Sequence, residues 1–192
     1  DIDLNDVMYG LQLQLLTYLD AVCKKEDLEP AGVLYFNLIE PIIKSDKRKT
    51  EEELEEEIKK RFKMKGLVLA DVKVIKMMDK SLETGYSSLV PVYVGKDDKI
   101  SEKSSSTATK EQFEILQKYI IRTIKDISKE ILSGNIDIKP YYKNKKTPCE
   151  YCEYKSICQF DKNKFGNEYS YIQELKKEEI WDRLKANWKT EV

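Results

Sequence analysis

Three cysteines near the C-terminus have the spacing of metal ligands. Cys149, Cys152 and Cys158 lie in the run TPCEYCEYKSICQFD and form a C-x2-C-x5-C pattern. Closely spaced thiolates of this kind bind zinc or an iron–sulfur cluster, and both centres usually take four protein ligands. The chain has no histidine, so the fourth ligand is either Cys23 or a residue outside this sequence. We expect the three cysteines to lie close together, in a segment that is loosely ordered when the metal site is incomplete.

The lack of histidine also limits the possible catalytic chemistry. It removes the commonest general base and every Ser-His or Cys-His nucleophile pair, so any catalysis must use carboxylates, lysine or metal. A second polar pair, Gln14 and Tyr18, has i, i+4 spacing, which places an amide and a phenol on one helix face. Such pairs also occur by chance on many helices, so the pair by itself does not indicate a function.

Four segments, taken in order, resemble the C-terminal nuclease region of AddB, the second subunit of bacterial AddAB helicase-nucleases. They are GLQLQLLTYLDAV, PAGVLYFNLIEP, SGNIDIKPYY and the cysteine run with its trailing FD, and together they extend across nearly the whole chain. In this family a Gln-x-x-x-Tyr helix follows the catalytic core of a RecB-type PD-(D/E)xK nuclease, and Gln14 and Tyr18 match it. Three clustered cysteines join one far upstream to bind a 4Fe-4S cluster, and Cys149, Cys152 and Cys158 match that trio.

The resemblance implies a role in DNA repair. The parent protein would be an ATP-dependent helicase and deoxyribonuclease that resects double-strand DNA ends for homologous recombination, with an AddA-type subunit as its partner. The family places its magnesium-binding acids just before the Gln-x-x-x-Tyr helix, and this sequence starts at Asp1, close to that helix. We therefore expect a fragment that lacks the Mg²⁺ ligands and does not cleave DNA alone. Asp71 and Asp79 have lysines nearby but no partner carboxylate, and are predicted to be surface charges.

Two further interpretations remain open from the sequence. The chain is alternatively a non-enzymatic zinc-binding interaction or nucleic-acid-binding module in which Cys23 joins the trio, although a buried core thiol is the simpler role for that residue. Around the cysteines, cations alternate with aromatics, and Lys143, Lys145, Lys146 and Tyr151 suit a DNA strand, with lysines on phosphates and rings free to stack. The alternative is a solvated loop whose tyrosines cover the core.

Composition excludes some classes of protein. The 34 lysines and arginines nearly balance the 35 acids, leaving a net charge of -1, so any binding to nucleic acid must be local. No apolar run is long enough to span a bilayer, and the acidic first residues do not resemble a signal peptide. We therefore expect a cytoplasmic chain with no membrane partner.

The elements that must position these residues are predicted from periodicity and capping. Apolar residues at helical spacing predict a helix from Asn5 to Lys25, with the buried stripe formed by Leu11, Leu15, Tyr18, Leu19 and Val22. A β-rich run, VLYFNLI, predicts a buried strand over 33–39, and a capping box at Thr50 opens a charged, solvated helix that ends at about Met64. Periodicity over residues 66–79 is compatible with either a strand or a helix, and we favour a short helix.

The second half of the chain contains the clearest helix. A strand is predicted over 89–94, edge-like because of Pro91. A capping box at Thr109 opens a long helix that ends before Gly134. A terminal helix is predicted over 176–188. The apolar stripe of the long helix comprises Phe113, Leu116, Ile120, Ile124, Ile127 and Ile131, and we expect Leu116 through Ile127 of this stripe to be buried.

These elements predict a mixed, helix-rich α/β fold. On the resemblance, it is part of a RecB-like PD-(D/E)xK nuclease fold that lacks its N-terminal catalytic strands. We expect the nuclease portion to span 1–140, the cysteine segment 141–165 and a helical tail 166–192. We use the name cysteine segment for residues 141–165 below.

Overall fold

The computed structural model describes residues 2–39 and 42–188 and has mixed helix and sheet, as predicted. The chain divides into two compact units: unit 1 comprises residues 1–3 and 12–118, and unit 2 comprises residues 4–11 and 119–192. The helices are α1 (Leu4–Met8), α2 (Leu13–Glu26), α3 (Glu51–Arg61), α4 (Val72–Met78), α5 (Lys110–Leu132), α6 (Lys155–Cys158) and α7 (Lys177–Trp188). The strands are β1 (Gly32–Tyr35), β2 (Lys65–Leu69), β3 (Gly85–Tyr86), β4 (Tyr93–Val94), β5 (Thr107–Ala108), β6 (Tyr141–Tyr142) and β7 (Ser170–Tyr171).

A three-stranded sheet with the order β1-β2-β5 organises unit 1. Strand β2 pairs antiparallel with β1 and parallel with β5. Gly66 lies opposite Leu34 with a φ of +151°, and a Cβ at Gly66 would lie 2.1 Å from the Val33 carbonyl oxygen. Glycine is therefore required at this position of β2.

The core of unit 1 lies over this sheet. One cluster of this core consists of buried side chains from β2, α4, β4 and the loop between α4 and β4: Val68, Ile75, Leu82, Val90, Val92 and Val94. The sequence favours one short helix over residues 66–79, but the structure has strand β2 followed by helix α4. Asp71 separates the two elements as the helix N-cap, where its side chain accepts hydrogen bonds from the backbone N–H groups of Lys73 and Val74.

Both predicted strands are too long. The run 33–39 is a strand only in β1, which ends at Tyr35; Leu38 and Ile39 are exposed, and the closing Pro41 lies outside the described residues. The run 89–94 pairs only at Tyr93–Val94, although Val90, Val92 and Val94 are all buried. The alternation of residues in this run correctly indicates which side chains are buried. The backbone that places Val90 and Val92 is irregular, however, and does not form a strand ladder of hydrogen bonds.

Capping boxes were reliable signals for two helices. Thr50 caps α3 with reciprocal hydrogen bonds to Glu53, and no residue of α3 is buried, as predicted. Thr109 and Gln112 form the equivalent pair at α5. The first half of α5 buries Phe113, Ile115, Leu116 and Ile120.

The predicted stripe of α5 fails in its second half. Ile124 is half-buried, Ile127 is 45% exposed and Ile131 is 70% exposed. The prediction that Ile127 is buried is therefore wrong. The apolar stripe continues along α5 past the last turn that other parts of the chain cover.

In unit 2, the terminal helix is confirmed as α7, which packs against α1. Ile180, Trp181 and Leu184 are buried, whereas the side chain of Trp188 lies outside the described part of the chain. Tyr119 donates a 2.5 Å hydrogen bond from its hydroxyl to the Met8 carbonyl, and burial raises the pKa of this phenol. Across the described ranges, no helix is long and apolar enough to cross a membrane.

Candidate functional site

Gln14 and Tyr18 lie together on the exposed face of α2. The Gln14 Nε2 donates a 2.9 Å hydrogen bond to the Tyr18 hydroxyl, and the Tyr18 side chain is 58% exposed. The i, i+4 spacing therefore joins the amide and phenol, as the sequence implied. Both groups remain accessible to a ligand or to another protein surface.

The opposite face of α2 is buried, which corrects the predicted stripe. Leu16, Asp20 and Cys23 are buried, whereas Tyr18 and Val22 are more than half exposed. The predicted helix from Asn5 is also broken: α1 ends at Met8, Gly10 has a φ of +79°, and Gln12 adopts a left-handed conformation before α2. The inner face includes the buried carboxylate of Asp20, so a search for apolar residues at helical spacing did not identify it as the buried face.

Cys23 has the properties of a core thiol. It is 8% exposed, and burial together with the nearby Asp20 carboxylate raises the pKa of its thiol. A metal binds the thiolate form, so this environment disfavours Cys23 as a ligand. Asp20 itself pairs with Lys24 at 2.8 Å, and its Oδ1 is buried without a hydrogen bond to a described group.

The cysteine segment presents its thiols to solvent. Cys149 lies in a 3₁₀ turn over Pro148–Tyr151, where its N–H donates to the Thr147 hydroxyl, while Cys158 ends α6. Cys149 is half-buried, and Cys152 and Cys158 are exposed. Within the ranges 2–39 and 42–188, no three His, Cys, Asp or Glu side chains are placed to hold a metal ion. The expectation that the three cysteines lie close together stays a prediction, and their soft-donor chemistry fits zinc or iron–sulfur.

An aromatic cluster supports the cysteine segment. The Tyr169 ring lies 5.1 Å from Tyr142 and 5.0 Å from Phe160, and the Tyr171 ring lies 5.6 Å from Tyr142. Strands β6 and β7 hold these rings together by parallel pairing. Partial desolvation and the neighbouring Cys149 thiol raise the pKa of Tyr169. The segment thus has a small ring cluster of its own, beside Cys149.

The four predicted DNA contacts are not equivalent. The Lys143 Nζ lies 2.5 Å from Asp6 Oδ1 and its side chain is only 18% exposed, so it acts as a structural ion pair. Lys145 and Lys146 are exposed around a tight turn in which Asn144 and Lys145 both have positive φ. Tyr151 is 89% exposed. Lys145, Lys146 and Tyr151 are therefore accessible, and Lys143 is not available to a phosphate while it pairs with Asp6.

Asp79 is predicted to be a surface charge but is 2% exposed. Its Oδ1 accepts hydrogen bonds from the Ser81 N–H and hydroxyl, and its Oδ2 accepts from the Ser87 hydroxyl and the Ser88 N–H. Burial alone would raise the pKa of Asp79, but these hydrogen bonds outweigh burial and hold the pKa below its usual value. The carboxylate is fully used in fixing the loop between α4 and β4. Asp71 is exposed, as predicted.

Motif reasoning missed a pocket in unit 1. An open cavity of about 680 Å³ is lined by Lys60, Arg61, Lys63, Lys65, Met64, Asn37, Ile39, Ile42 and Pro91. We call it the basic pocket. The signal was present in the run KKRFKMK, which has five cations in seven residues between 59 and 65. It was overlooked because the acidic half of α3 precedes it and balances the average charge.

Comparisons with known proteins agree with the mixed fold. A family model described as the PD-(D/E)XK nuclease superfamily matches residues 2–159. The chain is 48% identical over 189 residues to the AddB protein of an ATP-dependent helicase/deoxyribonuclease from Thermoanaerobacter sp. strain X514, covering 96% of this chain and 16% of that protein. Proteins of the same name are 48% identical in Clostridium botulinum strain Hall, over 95% of this chain, and 45% identical in Acetivibrio thermocellus, over 96% of this chain; each is covered over 16% of its length. The chain thus spans about a sixth of the length of these curated relatives.

Proposed function

The chain belongs to the PD-(D/E)XK nuclease superfamily, and we propose that it serves as the C-terminal part of the nuclease domain of an AddB-type protein in an ATP-dependent helicase/deoxyribonuclease. The observation that carries this proposal is the 48% identity over nearly the whole chain to proteins of that name. In this proposal the complete protein acts with an AddA-type helicase-nuclease subunit to resect double-strand DNA ends for recombinational repair.

The proposed role of α2 is to present Gln14 and Tyr18 to the catalytic centre or the DNA. The hydrogen bond between the two side chains fixes the orientation of the phenol, and the exposure of both leaves them free to make such a contact. They would act by positioning, since Mg²⁺ in proteins is usually bound by carboxylates, phosphates and water rather than by an amide or a phenol.

Within residues 2–39 and 42–188, the carboxylates do not form a magnesium site. Among the described residues no three metal-binding side chains are gathered, and the buried carboxylates of Asp20 and Asp79 are committed to Lys24 and to three serines. Phosphodiester cleavage in this superfamily needs carboxylates that hold the metal. We therefore assign no hydrolytic step to residues of this chain.

The cysteine segment fits an iron–sulfur site in its donor chemistry. Cys149, Cys152 and Cys158 are soft, reachable thiols within ten residues, and a fourth thiol from elsewhere in the complete protein would complete the set. When bound, such a cluster would supply a staple that closes a long loop of chain. The chain's own contribution is the capped 3₁₀ turn and the ring cluster of Tyr142, Tyr169 and Tyr171, which fix the backbone on either side of the thiols.

A chimera tests the proposal directly. The matching segment of the Thermoanaerobacter AddB protein would be replaced by this chain, and ATP-dependent degradation of linear duplex DNA measured together with iron content. We expect degradation to persist, Cys149→Ser to lower both iron content and degradation, and the matched control Cys23→Ser to lower neither by more than about twofold. A soluble chimera that degrades no DNA beside an active parent would contradict the proposal.

A further inference from the structure

The basic pocket of unit 1 has a charge pattern that its own fold does not require. Lys60 and Arg61 lie in the last turn of α3, where cations stabilise the exposed carbonyl end of a helix. Lys63 and Lys65 lie beyond that helix, so the helix dipole does not account for them. Among the residues that the structure describes, no carboxylate lines the pocket and none pairs with Lys63 or Lys65.

The acidic half of α3 neutralises the pocket only weakly. Glu56 lies 4.0 Å from Lys60, and Glu57 lies 3.7 Å from Arg61. The Lys60 and Glu56 side chains are both about three-quarters exposed. An exposed pair such as this one contributes little and exchanges readily for another anion. Glu57 is only 29% exposed and is shared between Arg61 and Lys49, so it does not fully neutralise Arg61. Four cations thus converge on one opening that a polyanion can enter.

Aromatic rings frame the same part of unit 1. Phe36 follows β1 and stacks on Phe62 with a centroid separation of 5.7 Å, and Phe36 is 54% exposed. The Lys63 Nζ lies 5.6 Å from the centroid of the Tyr86 ring, which is 65% exposed. Rings beside cations suit a ligand that carries both phosphates and planar bases.

The β2 side and the Pro91 side of the pocket are held in place before any ligand arrives. Tyr35 pairs with Lys65 across β1 and β2, and the Met64 N–H donates a 2.9 Å hydrogen bond to the Leu89 carbonyl. The buried Asp79 network fixes the loop that carries Tyr86 and leads to Pro91, a lining residue. A fixed frame reduces the entropy lost on binding.

We propose that the basic pocket binds single-stranded nucleic acid, with Lys63 and Lys65 on consecutive phosphates and Phe36 stacking on a base. This site lies in unit 1 and shares no residue with the cysteine segment. It does not rest on the nuclease proposal, so the two stand or fall separately. Single strands suit the pocket better than duplex, because only an unpaired base exposes a face to an aromatic ring.

Fluorescence anisotropy with a labelled thymidine oligonucleotide of about 20 residues tests the proposal on the full chain. The double variant Lys63→Gln/Lys65→Gln is expected to weaken binding at least tenfold at low salt. It should also reduce the slope of log K against log salt by about 1.4, since each phosphate contact on a single strand contributes about 0.7. Phe36→Leu should weaken binding about fivefold or more and leave that slope unchanged.

The matched control is Lys73→Gln/Lys80→Gln, which removes the same charge from exposed positions of unit 1 outside the pocket lining. It should keep the affinity within about twofold. Circular dichroism spectra and melting temperatures that match the wild type establish that each variant is folded. Equal losses in the control and pocket variants, or wild-type affinity and slope in the pocket variant, would overturn the proposal. Displacement of the oligonucleotide by oligoglutamate of equal charge at equal concentration would also overturn it, in favour of an acidic protein segment.

Discussion

Replacing Asp79 by asparagine is expected to destabilise unit 1 by about 3–5 kcal/mol at neutral pH. The carboxylate is 2% exposed and receives hydrogen bonds from Ser81 and Ser88 N–H groups and from the Ser81 and Ser87 hydroxyls, at 2.6 to 3.2 Å. An asparagine side chain keeps one acceptor oxygen and turns an NH₂ group toward the other set of donors. Whichever way the asparagine amide is turned, its NH₂ group therefore faces a backbone N–H donor, that of Ser81 or that of Ser88. At least two hydrogen bonds to a charged acceptor are then lost.

The perturbation extends beyond one side chain. The Ser87 hydroxyl donates to Asp79 and accepts from the Leu89 and Val90 N–H groups at 3.1 and 3.0 Å. A bond to a charged group contributes about 1.5–3 kcal/mol, and a buried N–H left without a partner costs about 1–3 kcal/mol. Two such losses, partly relieved by relaxation of the loop, give the expected range.

Asp71→Asn is the matched control. The substitution is chemically identical and lies eight residues away, at the exposed N-cap of α4, where asparagine caps about as well as aspartate. It should cost less than about 1 kcal/mol. Urea unfolding followed by far-UV circular dichroism measures both free energies of unfolding. Hydrogen exchange at Ser81 and Ser88, read by mass spectrometry, localises the effect to the loop.

The pH dependence gives an independent check. Because the pKa of Asp79 is lower in the folded chain than in the unfolded chain, its contribution is present above the unfolded value of about 3.9 and is lost as pH falls through the folded pKa. The stability difference between wild type and Asp79→Asn should therefore be constant near neutral pH and shrink below about pH 4. An Asp79→Asn cost no larger than that of Asp71→Asn, or a difference that does not shrink in acid, would refute this account of the loop.

Other predictions follow from the same structure. Gly66→Ala should prevent the pairing of β1 with β2, because its Cβ would lie 2.1 Å from a carbonyl oxygen, and unit 1 should then be unfolded at room temperature, as measured by circular dichroism. The control Gly85→Ala meets no atom within 4 Å and should cost only about 1–2 kcal/mol of backbone strain. Ile120→Ala should cost about 2–5 kcal/mol in urea unfolding because the side chain is fully buried, and Ile127→Ala, at a 45% exposed position, less than about 1 kcal/mol. The purified chain should not cleave linear DNA with magnesium or manganese, measured by gel electrophoresis, and cleavage abolished by substituting one of its own carboxylates would show that it holds a catalytic metal.

Local chemistry was sufficient to predict several features from the sequence. The capping boxes at Thr50 and Thr109 marked the starts of α3 and α5, because a cap is satisfied within four residues and needs no distant partner. The i, i+4 spacing of Gln14 and Tyr18 likewise fixed their contact once α2 formed. The roles of this pair, of the accessible DNA contacts and of the cysteines remain predictions.

Only the tertiary structure decided which face of each element is covered. The inner face of α2 contains Asp20, so an apolar count selected the exposed face with Tyr18 and Val22. Asp79 is indistinguishable in sequence from a surface acid, yet serines up to nine residues away satisfy it in the core. Burial and charge compensation depend on contacts between residues that are distant in sequence, and hydrophobic periodicity contains no information about which distant residues meet.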